Sequence, residues 1–282
     1  MKFLSLFLFG FLVSCSNYGQ LTFVAKLPKK IKESSGITSL TDKSVWIIED
    51  NGNHDKIFEV DLNGKILKEL KVKGAKNRDW EDLTKDDKGN VYIADTGNNA
   101  NKRDDLVIYK IPNPELEKGD KIRAEEIRFN YPEQKRFPPK KDSLFFDSEA
   151  LFYFKDKLYI ITKNRATPFT GKALVYKLPS KKGTYNATYI GSFTPCTTNK
   201  ICRVTAADVS PDGKKIALLG YGKLWVFTDF EMENFTTGKM ETIDLGATTQ
   251  LESLCFKNNN TLYLADEQSA HTGRNLYTYT LD

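Results

Sequence analysis

Short runs of alternating apolar and polar residues, rich in Val, Ile, Tyr and Phe and broken by Gly, Asn and Asp, cover most of this chain. Such runs predict strands of a few residues joined by tight turns. No stretch keeps a helical period between capping residues, so no helical domain is expected. The runs themselves recur. A polar start and a short aliphatic segment are followed, after a turn, by an aromatic-aliphatic segment ending in polar residues. The pairs are Glu33-Ser-Ser-Gly-Ile37 with Val45 to Asp50, Trp80-Glu81-Asp82-Leu83 with Val91 to Asp95, Ser148-Glu149-Ala150-Leu151 with Leu158 to Lys163, Ala206-Ala207-Asp208-Val209 with Ile216 to Gly220, and Leu251-Glu252-Ser253-Leu254 with Leu262 to Asp266. A period of roughly 45 to 70 residues holding several strands is the signature of a β-propeller.

Each copy extends to a four-stranded blade. Third strands are expected at Ile57–Val60, Leu106–Tyr109, Ala173–Tyr176, Leu224–Phe227 and Leu276–Tyr279, and fourth strands at Ile66–Val72, Ala124–Phe129, Ala187–Phe193 and Met240–Leu245. The fifth copy reaches Asp282 before a fourth strand. Leu21–Leu27 supplies one, so pairing of the two ends closes the ring and removes its open edges. The expectation is an all-β fold of five four-stranded blades over residues 21–282. A sixth blade would have to come from the proline-rich stretch Pro132 to Phe146, which offers at most one strand. Asp87-Lys-Gly-Asn90 and Pro211-Asp-Gly-Lys214 have hairpin-turn chemistry.

The first residues read differently. A basic start, Met1-Lys2, and an apolar run from Phe3 to Val13 lead to Leu12-Val-Ser-Cys15. This resembles the lipobox of bacterial lipoproteins. It implies a signal peptide over 1–14, lipidation of Cys15, a linker over 15–20, and a protein held on a membrane of the bacterial cell envelope. Export permits a disulfide, and Cys196 and Cys202 flank a short loop that would carry one; Cys255 falls in an apolar strand as a buried thiol. In an exported bacterial protein the Asn-x-Thr triplets at Asn186 and Asn234 carry no glycosylation meaning.

The net charge is +5, from 42 Lys and Arg against 37 Asp and Glu. Scattered lysines read as a solvated rim rather than a nucleic-acid surface, and the basic run at Lys135 to Lys141 is broken by prolines. A monomer is expected.

In a propeller, first-strand starts and second-strand ends share one mouth of the central channel. Both are polar here. Glu81, Glu149, Asp208 and Glu252 come from equivalent first-strand positions, and their mutual repulsion calls for a cation. An oxygen-only donor set without His or Cys favours calcium. Asp50, Asn51, Trp80, Asp95, Asn98, Asn99, Arg103, Lys163, Arg165, Tyr221 and Asp266 are the expected ligand contacts around it. For each, a local reading stands beside the functional one: acids bonding turn amides, Trp80 packing between blades, or salt bridges to Arg103, Lys163 and Arg165 replacing the metal. There are two histidines, His54 and His271, both in turns.

Glu33-Ser-Ser-Gly-Ile37, Glu49-Asp50-Asn51-Gly52, Asp79-Trp80-Glu81-Asp82, Asp95-Thr-Gly-Asn-Asn99 with Arg103, and Asp147-Ser-Glu-Ala-Leu151 resemble motifs of uncharacterised secreted bacterial propellers. These lie near the SdiA-regulated and esterase-like phytase propeller families. The resemblance implies a calcium-associated propeller with an undefined small-molecule or protein ligand. It does not imply phytase activity, since no phosphate-gripping Lys/Arg set accompanies multiple calcium loops. Two functions follow: a lipid-anchored propeller that binds a ligand at an acidic mouth, or a metal-assisted hydrolase of a phosphoester, lactone or glycan with Glu81, Glu149 or His54 as base. No Gly-x-Ser-x-Gly elbow is present, which argues against a serine hydrolase.

Overall fold

The computed structural model describes residues 18–198 and 201–281; the lipobox and Cys15 lie outside them. Five antiparallel blades surround one axis. Blade 1 is formed by Ser34–Thr41, Ser44–Glu49, Lys56–Asp61 and Ile66–Lys73, and blade 2 by Trp80–Lys85, Val91–Asp95, Val107–Ile111 and Glu125–Asn130. Blade 3 comprises Asp147–Phe154, Lys157–Lys163, Ala173–Pro179 and Thr188–Phe193, and blade 4 Ala206–Val209, Ile216–Gly220, Lys223–Thr228 and Lys239–Asp244. Blade 5 has Leu251–Phe256, Thr261–Asp266 and Asn275–Thr280, completed by Thr22–Lys26 from the other end of the chain. Phe23 pairs with Tyr277 and Lys26 with Asn275.

Alternation along the second strands explains the ring. Val45 and Ile47 face blade 5 while Trp46 and Ile48 face blade 2; Val91 and Ile93 then meet blade 1, and Tyr92 and Ala94 meet blade 3. The same division continues through Tyr159 and Ile161, Ala217 and Leu219, and ends with Tyr263 and Ala265 packed on blade 1. Both faces of every blade are therefore buried, each in an apolar cluster shared with one neighbour. Strands apolar on both faces are satisfied when each blade packs between two neighbours in a closed stack.

The stretch between Pro132 and Phe146 forms no strand, only a single 3-10 turn at Lys141–Ser143, so there is no sixth blade. Two short strands were not anticipated. Lys121–Arg123 adds in parallel to the outer strand of blade 1, and Gly183–Asn186 to that of blade 2. The 3-10 segment Met232–Thr237 takes the corresponding place between blades 3 and 4, with Phe235 packed on Phe152 and Phe227. All three segments lie in the connection between third and fourth strands and reach back to cover the preceding blade's outer strand or flank. Their brevity and polarity hid them in the sequence.

Cys196 and Cys202 are disulfide-bonded and Cys255 is buried and free. Tyr18 to Gln20, expected as linker, dock onto the propeller: the Gln20 amide donates to the Leu245 carbonyl at 2.7 Å and Tyr18 stacks on Phe23. No helix among the described residues is long and apolar enough to cross a membrane.

Candidate functional site

The mouth of the channel is built by a repeated irregularity. In blades 1, 2, 3 and 5 the pairing of first and second strands slips by one residue at the start of the first strand, leaving Ser35, Glu81, Glu149 and Glu252 as the extra residues. A bulge re-aims the side chain it carries. All four line one polar cavity of about 180 Å³ together with Asp50, Asn99, Lys163, Arg165, Tyr221, Gln250 and Glu267. Asp50, Tyr221 and Glu267 each follow a second strand and Lys163 ends one, the other position expected at this mouth.

Blade 4 has no bulge, and this displaces Asp208. Its strand pairs regularly, Ala206 with Leu219 and Asp208 with Ala217, so Asp208 lies two residues deeper than the position equivalent to Asp82. Its carboxylate accepts from the Phe256 amide at 2.8 Å and lines a separate cavity at the opposite end of the channel. Burial pushes its pKa up to about 6, against the Phe256 amide. Asp208 therefore does not join Glu81, Glu149 and Glu252. Asp82, fully buried on the axis, accepts from the Leu83, Leu151 and Ala207 amides and so ties the inner strands of blades 2, 3 and 4.

One wall of the mouth is a chain of charge-assisted hydrogen bonds. Arg165 donates to Asp147 at 2.5 Å and to Glu149 at 2.8 Å; Lys163 donates to Glu149 at 2.5 Å and to the Tyr221 hydroxyl at 3.3 Å. Tyr221 donates to Glu252 at 2.7 Å, and Gln250 bridges Glu252 to Glu267. Burial works against the Lys163 charge, yet Glu149 and Glu252 hold its pKa well above the ordinary lysine value. Burial, with the charges of Asp147 and Glu252, pushes the Glu149 carboxyl up to about 8 against the pull of Lys163 and Arg165.

The other wall lacks such compensation. Glu81 is 6% exposed, and neither its carboxyl nor that of Asp79 accepts a hydrogen bond among the described residues. Asp50, Asp79 and Glu81 present oxygens within 4.8 Å of one another, and Glu81 forms a second such group with Asp147 and Glu149. Burial, then the charges of Glu149, Asp50, Asp147 and Asp79, drive the Glu81 carboxyl well above the carboxylate range. Burial and Asp50 likewise push Asp79 up to about 7, and burial with Glu252 pushes Glu267 up to about 9. Gly97 makes this approach possible: a Cβ there would overlap the Glu81 and Asp79 carboxyls.

Several expected ligand contacts instead hold the frame. Asp95 accepts from the Asp79 amide at 3.1 Å and from Arg103 at 3.0 Å. Asp266 accepts from Asn275, Tyr277 and Thr249, and Asn98 pins Arg103 through the Arg103 amide. Trp80 is fully buried between blades 1 and 2. Asn51 is exposed, its amide turned onto the Asp50 carboxylate, and His54 sits in an exposed turn outside the cavity. The difference is local. Asp95 and Asp266 end second strands where an amide must be satisfied, and neither lines the mouth cavity. Ser35 and Gln250 line the mouth without having been singled out; the bulge aims Ser35, and no motif announces Gln250.

A larger groove of about 960 Å³ adjoins the mouth and shares Tyr221 and Gln250 with it. Its walls come from the N-terminal strand, the Cys196–Cys202 loop and turns of blades 4 and 5, and include Tyr18, Arg203, Thr249, His271 and Thr272.

No protein-family model matches this chain, and no curated protein does. Solved structures do match. The PQQ-bound aldose sugar dehydrogenase of Streptomyces coelicolor aligns with a TM-score of 0.56 at 10% identity, over 92% of this chain and 98% of that one. A proposed 6-phosphogluconolactonase from Bacteroides uniformis aligns with a TM-score of 0.47 at 14% identity, over 86% and 69%. At these identities the first likeness establishes the β-propeller fold and nothing about chemistry. The finer resemblance to the secreted-propeller families continues to rest on the motifs.

Proposed function

We propose that this protein is an envelope-anchored ligand-binding propeller whose acidic mouth takes up a calcium ion and, beside it, a small polar ligand. The observation that carries the reading is Glu81, a buried carboxyl with no hydrogen-bond donor, set between Asp50 and Asp79 on one side and Asp147 and Glu149 on the other. Such a group is stable only with a proton or a cation. The donor set fits a hard divalent ion, being all oxygen, and the spacing suits ligands that meet one ion at 2.3–2.6 Å. Asp147 and Glu149 already face Arg165 and Lys163. Asp50, Asp79 and Glu81 are therefore the residues that would hold calcium, a different set from the expected ring of Glu81, Glu149, Asp208 and Glu252. Bound there, the ion would polarise a ligand oxygen, while Lys163, Tyr221 and Asn99 orient polar groups of the ligand.

Hydrolysis of a phosphoester, lactone or glycan is the second reading. What favours it is the contrast in surroundings between two carboxyls of one site, Glu81 without a hydrogen-bond donor and Glu149 held by Lys163 and Arg165, the kind of difference that divides acid from base. Turnover of any such ester or glycoside that vanishes in Glu81→Gln would decide for it; calcium-dependent binding without turnover decides for the binding protein. Anchoring rests on Leu12-Val-Ser-Cys15. The expected result is a membrane-extracted protein whose mass shows a lipidated Cys15 at its start, and a Cys15→Ala form released from the membrane; an intact Met1 would refute it.

A further inference from the structure

Arg203 differs from the paired cations around the mouth. Arg165 and Lys163 are paired with Asp147 and Glu149, Arg103 with Asp95 and Asp105, and Lys26 donates to the Gly273 carbonyl and Asn275. The Arg203 guanidinium forms no ion pair or hydrogen bond among the described residues, and its Nε is buried without a partner. Its guanidinium carbon lies 6.0 Å from the centre of the Phe169 ring; burial and then neighbouring Arg165 work against its charge, with Tyr221, Glu149 and Asp147 acting the other way at longer range. A buried guanidinium N–H beside a like charge and without an acceptor costs free energy unless something supplies the acceptor.

What adjoins it is the groove of about 960 Å³. The groove also offers the hydroxyls of Thr249, Ser269 and Thr272, while the Asp266 carboxylate there is already engaged by Thr249, Asn275 and Tyr277. No free carboxylate in its lining competes for the guanidinium. We infer that this groove is a second binding site, separate from the acidic mouth, that takes a hydroxyl-rich ligand carrying an oxyanion, with Arg203 as the group that receives the oxyanion. A planar guanidinium accepts a carboxylate or phosphate through two parallel hydrogen bonds, and partial burial strengthens both. Thr249, Ser269 and Thr272 then meet the ligand's hydroxyls. The site does not depend on calcium.

The test compares glucuronate, inorganic phosphate and glucose by titration calorimetry and ligand-observed NMR. Glucuronate is expected to bind at least about tenfold more tightly than glucose, and phosphate to compete with it. Arg203→Gln is expected to remove that preference, while Arg203→Lys, which keeps the charge but not the fork, retains part of it. Melting curves confirm that each variant folds; should Arg203→Gln not fold, the glucuronate preference of the native protein and the Arg203→Lys comparison carry the test. Vesicles containing phosphatidylglycerol form the second arm. Arg203-dependent capture by vesicles without binding of the soluble anions assigns the oxyanion to a lipid headgroup. Equal binding of glucose and glucuronate with no vesicle capture, or unchanged anion binding in Arg203→Gln, overturns the inference. The calcium response is measured in the same variants and should persist, so failure at the mouth and failure in the groove are read separately.

Discussion

Replacing Glu81 by glutamine puts the electrostatics of the mouth to a quantitative test. The carboxyl of Glu81 lies within 4.8 Å of the oxygens of Asp50 and Asp79. Two full charges at that separation repel by about 3.5 kcal/mol at an effective dielectric constant near 20. Partial solvent access lowers the net cost of ionising Glu81 to about 2–3 kcal/mol. Because its folded pKa is raised, the native state keeps a proton that the unfolded chain has released. That contribution is complete below the unfolded value near 4.5 and is lost as pH climbs through the folded value. Glutamine has the shape of the protonated acid and cannot ionise. In chelator at pH 5 the two proteins should therefore melt within a few degrees of each other. At pH 9 the variant should be more stable by about 2–3 kcal/mol, or about 5–10 °C for a domain of this size. Calcium closes that gap: at a hundred times its dissociation constant it adds about 2.7 kcal/mol to the native protein and little to the variant. Scanning calorimetry across pH, with and without calcium, reads all of this. A Glu81→Gln protein destabilised equally at both pH values would show that the carboxylate accepts a structural hydrogen bond, and the reasoning would fail.

Three further outcomes follow from other parts of the structure. Gly97→Ala should abolish the calcium response while leaving the fold intact by circular dichroism, because the methyl group would displace the Glu81 and Asp79 carboxyls; an unchanged response would exclude those oxygens as ligands. A chain starting at Lys29 loses the strand Thr22–Lys26 and the buried Leu21, Ala25 and Leu27, opening the ring. It should melt at least about 10 °C lower or fail to fold, since deleting even one buried leucine costs about 2–5 kcal/mol, and an unaltered melting temperature would refute closure by the two ends. Cys196→Ser with Cys202→Ser should cost about 2 kcal/mol in urea titrations, the closure entropy of so short a loop; no change in midpoint would mean that the crosslink contributes nothing to stability.

The scaffold was readable because its logic is periodic. Two-faced strands such as Val45 to Ile48 and Val91 to Ala94 must be buried on both sides, and only a closed stack of blades does that for every copy. Even the ring closure was visible as a fourth strand missing at one end and spare at the other. The mouth was partly readable for the same reason: Glu81, Glu149 and Glu252 share a repeat position and meet in one cavity. What the repeat could not convey was register. A single inserted residue, the bulge, separates Glu149 in the mouth from Asp208 at the far end, and nothing in Ala206-Ala207-Asp208-Val209 marks its absence. Asp95 and Asp266 were misleading for a related reason, since acids at strand ends are chemically alike whether they meet a turn amide or a ligand. Arg203 was invisible altogether, because an arginine is notable only when its surroundings fail to pair it.

The central claim is that Asp50, Asp79 and Glu81 form a calcium site at the mouth of the propeller. A crystal grown with calcium and repeated with a lanthanide measures this most directly, through anomalous difference density. The account predicts one strong peak bounded by the carboxylates of those three residues, absent from Glu81→Gln crystals grown identically. Density for the ion elsewhere, or a mouth holding only water at millimolar calcium, would contradict it.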